Sequence, residues 1–68
     1  MKTYIERKLI EMRRIDPILS VDIYYNDGGE PRDEQFVVRC HDHQIDKHFR
    51  SNHIRKSLKM ALEWLKGQ

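Results

Sequence analysis

Apolar residues near the start of the chain recur at helical spacing. Ile5, Leu9 and Met12 stand at i, i+4 and i+7, and Ile15 follows three residues later. This predicts an amphipathic helix from about Thr3 to Ile15. Pro17 ends it, because proline cannot donate to the helical ladder and disfavours helical backbone at Asp16 before it. Thr3 is placed to cap the first turn. The period then switches to two. Leu19, Val21, Ile23 and Tyr25 share one face and Ser20, Asp22 and Tyr24 the other, the pattern of a half-buried strand. Asn26-Asp27-Gly28-Gly29 follows, a turn signal built from residues that tolerate positive φ, and the loop continues through Glu30, Pro31, Arg32 and Asp33. A second strand places Phe36, Val38 and Cys40 on one side and Val37, Arg39 and His41 on the other. The two strands make a hairpin with one apolar face.

Residues 42–50 fit two descriptions: a tight turn at His43-Gln44 into a short third strand, Ile45 to Phe49, or an early start of the final helix. That helix is the clearest element. Ile54, Leu58, Ala61, Leu62 and Leu65 form one stripe, with Arg55, Lys56, Lys59 and Lys66 off it. Ser51 or Asn52 is the expected N-cap and Gly67 the stop. The order α-β-β-(β)-α predicts a two-layer α+β fold. A small antiparallel sheet of two to three strands carries both helices on its apolar face. The other face, with Asp22, Tyr24, Arg39 and His41, meets solvent.

At 68 residues the chain is a single domain, residues 1–68, and its core is small. One cysteine, Cys40, excludes an internal disulfide and fits a reducing compartment. The first residues carry charge rather than an apolar leader, and no apolar run approaches membrane-helix length. The expectation is a soluble, cytoplasmic chain that does not engage the membrane. Net charge is +2, but its distribution is uneven. Residues 1–16 carry five basic side chains against three acidic, residues 17–42 two against six, and residues 43–68 six against two. Basic ends around an acidic middle suit a footprint on a polyanion, and equally suit internal charge balance.

Several side chains carry candidate chemistry. Cys40, His41, Asp42, His43, His48 and His53 are metal-ligand types, but their spacing matches no closed zinc set, and no metal or other cofactor is expected. Cys40 is in phase with Phe36 and Val38, which makes it a core thiol rather than a nucleophile. So small a chain does not readily wall off a dry pocket, and the expectation is a protein that is not an enzyme. Tyr24 beside Arg39 suits ordinary strand propensity, base stacking or insertion into a partner's pocket. Trp64 lies just off the last helix's stripe, at the core edge. Arg13-Arg14 and Arg55-Lys56 form one basic surface if the helices lie side by side; the equal alternative is that each is a solvated helix face.

The element order, with residues 29–40 reading Gly29-Glu30-Pro31-Arg32-Asp33-Glu34-Gln35-Phe36-Val37-Val38-Arg39-Cys40, resembles the double-stranded RNA-binding domain. The ribonuclease III type is especially similar. In that family a Gly-Pro-x-His or Gly-Glu-x-His loop precedes a Phe-x-Val strand. Leu9-Ile10-Glu11-Met12 is similar to its first-helix pattern, and Asn52-His53-Ile54-Arg55-Lys56-Ser57-Leu58 sits where its basic helix begins. The likeness spans about Tyr4 to Leu65. It implies three RNA-facing surfaces: Lys8 and Glu11 on the first helix, the loop Gly29, Glu30, Pro31 and Arg32, and Asn52, His53, Arg55 and Lys56 at the start of the last helix. It also implies shape readout through phosphates and 2′-hydroxyls.

The resemblance is degenerate and shortened. Arg32 stands where the family has histidine, and Ser51 and Asn52 where it has paired lysines. The stretch before the last helix is about three residues short. Asp27, Glu30, Asp33 and Glu34 oppose phosphate approach. Two readings follow. In one the chain is a non-catalytic module that binds duplex RNA. In the other it is a protein-protein interaction module, a small regulator, inhibitor or homodimer, that uses the sheet face around Tyr24 and Arg39 or the hairpin edge.

Overall fold

The computed structural model describes residues 1–25 and 36–68. The element order is α1 (Tyr4–Ile15), β1 (Ser20–Tyr25), β2 (Phe36–His41), β3 (Asp46–Ser51) and α2 (Ile54–Lys66). The predicted turn at Asn26-Asp27-Gly28-Gly29 and the predicted loop through Asp33 lie outside the described residues.

Thr3 opens α1 through a reciprocal cap. The Glu6 N–H donates to Thr3 Oγ1 at 3.1 Å, and the Thr3 N–H donates to Glu6 Oε1 at 2.9 Å. Two first-turn donors that the helix cannot satisfy are thereby satisfied locally. The Thr3 N–H, and after it the Thr3 side chain, hold the Glu6 carboxyl below its ordinary pKa. Asp16 ends the helix in extended backbone (φ −133°, ψ 96°), as a residue before proline should. Its N–H still reaches the Met12 carbonyl at 2.9 Å, and its own carbonyl accepts from Leu19 at 3.1 Å to turn the chain into β1.

The sheet is antiparallel in the order β1-β2-β3. The third strand is present and runs from Asp46 to Ser51, not Ile45 to Phe49, and the early-helix alternative is excluded. Asp42 provides the room. Its Oδ1 accepts from the Gln44 and Ile45 N–H groups at 2.8 and 3.0 Å, and its N–H donates to the Ile45 carbonyl at 3.0 Å. A side-chain-closed turn of four residues is short enough to return the chain at once. The same two donors lower the pKa of Asp42.

On the inner sheet face the register aligns Val21 with Cys40 and Lys47, Ile23 with Val38 and Phe49, and Tyr25 with Phe36 and Ser51. Helix α2 lies over β2 and β3, and α1 packs beside α2. One buried cluster joins Met12, Leu19, Val38, Cys40, Leu58, Ala61, Leu62 and Leu65. Phe49 meets Trp64 at a ring separation of 5.7 Å, so the tryptophan closes the core edge beside β3. Two residues depart from the periodic reading. Ile15, counted with the α1 stripe, is 42% exposed, because the helix ends there beyond the core. Val37, on the outer face, is fully buried, with Tyr24 and Arg50 as its neighbours across the sheet. No helix among the described residues is long and apolar enough to cross a membrane.

Candidate nucleic-acid interface

The start of α2 is built on two buried hydroxyls. Ser57 Oγ donates to the Phe36 carbonyl at 2.9 Å, lies 2.6 Å from Ser51 Oγ, and is fully buried. Ser51 Oγ is also 2.6 Å from the His53 carbonyl and accepts the His53 N–H at 3.2 Å. The first turn of α2 is thus tied to β2 and β3 from inside, across a sequence separation of 21 residues between Ser57 and Phe36.

This anchoring overturns the expected cap. Ser51 spends its hydroxyl in the interior and Asn52 stands outside the helix. The N-cap is His53 (φ −149°, ψ 134°), which makes no side-chain capping bond. The first turn holds no acidic residue. Among the described residues nothing accepts from the N–H groups of Ile54, Arg55 and Lys56, while Ser57 bonds back to the His53 carbonyl at 3.1 Å. The positive end of the helix dipole is therefore open, with Arg55, Lys56 and Lys59 exposed around it.

Tyr4 connects this end of α2 to α1. The Arg55 guanidinium carbon lies 4.4 Å from the centre of the Tyr4 ring, and Lys8 Nζ lies 5.4 Å from the same centre. Both are cation–π contacts, and the arginine's is the closer. Lys8 Nζ also donates to Glu11 Oε2 at 3.1 Å. Of the residues marked for RNA contact, the structure brings Lys8, Glu11 and Arg55 into one cluster, with Asn52, His53 and Lys56 exposed on the same end of α2. Gly29, Glu30, Pro31 and Arg32 lie outside the described residues. Tyr4 was missed as a site residue. Its spacing of four from Lys8 is legible in the sequence, whereas its contact with Arg55 exists only in the fold. Arg13 and Arg14 do not join the cluster. They lie nine and ten residues beyond Tyr4, about 14 Å along the helix, and Arg13 Nε donates to the Pro17 carbonyl at 3.3 Å. The helices do lie side by side, yet of the two alternatives the single surface with Arg55-Lys56 does not form, because Arg13 and Arg14 stand at the far end of α1. On its own side α1 instead presents a shallow groove lined by Lys2, Arg7, Ile10, Glu11 and Arg14.

On the outer sheet face Asp22, Arg39, His41 and Asp46 are linked to one another. Arg39 donates from Nε and Nη2 to the two Asp46 oxygens at 2.9 and 2.8 Å, and its Nη1 is 4.0 Å from Asp22 Oδ2. His41 Nε2 lies 3.1 Å from that same oxygen. The fork raises the Arg39 pKa and lowers that of Asp46. Tyr24 stands exposed on the same face. Cys40 points into the core, where burial pushes its thiol up to about 11, which keeps it protonated and unreactive near neutrality. Among the described residues no three metal-ligating side chains gather.

No protein-family model, curated protein or solved structure matches the chain.

Proposed function

We propose that this chain is a non-catalytic cytoplasmic module that binds duplex RNA, holding backbone phosphates at the N-terminal end of α2. The observation that carries this reading is the open first turn of α2, ringed by Arg55, Lys56 and Lys59 and braced by Tyr4. Unpartnered N–H groups, the helix dipole and three cations favour the same ligand, an oxyanion. Lys8 and Glu11 on α1 extend the contact sideways toward a minor groove, where a lysine meets phosphate and a carboxylate accepts from a 2′-hydroxyl. The element order agrees with that of the double-stranded RNA-binding family. Recognition is by shape, without base readout.

The test is a titration with a ~20-base-pair RNA duplex and a matched DNA duplex at two salt concentrations. Three to four phosphate contacts imply that affinity falls roughly 40- to 150-fold between 50 and 200 mM salt, with RNA preferred. Arg55→Glu combined with Lys56→Glu abolishes binding while the circular dichroism spectrum is kept. Equal affinity in the double variant would remove the proposal.

A second reading is supported by the sheet face. Tyr24 is exposed on the face where Arg39 and Asp46 pair with each other, the setting of an aromatic anchor in a protein interface. A complex that survives moderate salt and the double charge reversal would mark a protein-interaction module instead.

A further inference from the structure

The two edges of the sheet are unlike. Edge strand β3 reads Asp46-Lys47-His48-Phe49-Arg50-Ser51, with charged or polar side chains at five of six positions, and α2 lies over it. Charge along a strand edge discourages pairing with another strand. Edge strand β1 reads Ser20-Val21-Asp22-Ile23-Tyr24-Tyr25 and carries one charge. Neither helix lies over it as α2 lies over β2 and β3. Tyr24 is 45% and Tyr25 50% exposed, and Ile18, just before the strand, is 59% exposed. Among the described residues no strand pairs with its outer side.

We infer that the outer edge of β1 pairs with β1 of a second copy of this chain, antiparallel about a two-fold axis at Ile23, to form one six-stranded sheet. The register follows from side-chain parity. Facing residues in an antiparallel pair lie on the same side of the sheet, so the axis must pass through a residue rather than between two. An axis at Asp22 sets two aspartates face to face, which is repulsive. An axis at Val21 leaves both tyrosines unpaired, and one at Tyr24 runs the pairing out of the strand. The axis at Ile23 uses Val21 to Tyr25 in full. Ile23 meets its twin, each Tyr25 ring lies over the Val21 of the second copy, and each Asp22 faces the Tyr24 hydroxyl of the second copy. The one charge on the strand thus faces a donor, and the apolar positions face one another. A strand edge this short buries less than a standard interface of about 800 Å² per partner, so the dimer is weak, with a Kd on the order of 10–100 μM.

The test is sedimentation equilibrium of the full chain without RNA, from a few micromolar to the millimolar range, on wild type, Tyr24→Asp and Tyr24→Lys. Tyr24 is exposed and makes no side-chain hydrogen bond among the described residues, so both variants keep the wild-type circular dichroism spectrum. The register predicts opposite outcomes. Tyr24→Asp places a second carboxylate against Asp22 at both ends and weakens association by at least tenfold. Tyr24→Lys faces Asp22 with a cation and leaves the Kd within about threefold of wild type. A wild-type chain that stays monomeric to a millimolar, or two variants that weaken association equally, would overturn the inference. Either result leaves the RNA reading untouched, because the β1 edge and the start of α2 share no residue.

Discussion

The two helices of this domain begin in opposite ways. Helix α1 closes its own first turn: Thr3 caps it, Glu6 returns the bond, and the acidic side chain sits on the positive end of the dipole. Helix α2 begins at His53 with no side-chain cap and no acid in its first turn, and surrounds that end with basic residues. Stability alone would favour the first arrangement at both sites, since a cap and a first-turn acid each stabilise a helix. The second arrangement leaves donors and charge unspent, which suits an external anion. Helix α2 can begin this way because its first turn is held from inside by Ser57, Ser51 and the Phe36 carbonyl.

The largest effect expected from breaking this contrast is therefore at Ser57. Ser57→Ala removes the donor to Phe36 and the partner of Ser51 in a site closed to water, and should cost about 2 kcal/mol, because buried polar groups are left unpaired. Urea unfolding followed by circular dichroism reads this as a lower midpoint with an unchanged slope. A change within a few tenths of a kcal/mol would mean that the hydroxyl pair does not anchor the helix start.

Next in size is a crossed pair of substitutions at the two caps. Thr3→Ala should lower stability by about 1 kcal/mol and leave RNA affinity within twofold. His53→Asp supplies the missing cap and an acid to α2, and should raise stability by about 0.5–1 kcal/mol while weakening RNA binding about fivefold. Gaining stability while losing affinity is the signature of a helix start kept open for a ligand. If His53→Asp strengthens both, or leaves binding unchanged, the open start has no role in RNA binding.

Much of the fold was legible in the sequence because burial follows periodicity there. The spacing of Ile5, Leu9 and Met12, the alternation in β1 and the stripe of α2 place those elements within a residue or two of their observed bounds. The third strand was ambiguous for a physical reason. Asp46–Ser51 is an edge strand in which only Phe49 and Ser51 are even partly buried, so no apolar alternation marks it. The legible signal was Asp42, whose side chain closes the preceding turn. Ser51 was misassigned as a cap because its partners lie elsewhere in the fold, and hydrophobic patterning cannot reveal a buried serine satisfied by a distant carbonyl. The basic residues of the candidate interface were legible one by one. Their assembly around Tyr4 was not, since Tyr4 and Arg55 come from opposite ends of the chain.

The smallest effect is in the pH dependence of the α1 cap, and it sharpens the contrast by titrating one helix start alone. The Thr3 bonds lower the Glu6 carboxyl below the ordinary value of 4.5. In the window between the folded and unfolded pKa values the unfolded chain binds more protons, so stability rises with pH there. The contribution of Glu6 is present above about pH 4.5 and is lost as pH falls through the lower, folded value. Asp42 and Asp46 are shifted in the same direction, so wild type alone cannot isolate it. Glu6→Gln keeps an acceptor for the Thr3 N–H and removes the titration. The difference in unfolding free energy between wild type and Glu6→Gln should be flat from pH 7 to 5 and shift against wild type below 4.5. The same comparison on a background of Thr3→Ala should lose only part of its pH dependence, because the Thr3 N–H, the larger cause, remains and only the side-chain share is gone. A difference that loses its pH dependence altogether without the Thr3 hydroxyl would show that the Thr3 N–H is not what chiefly holds that charge.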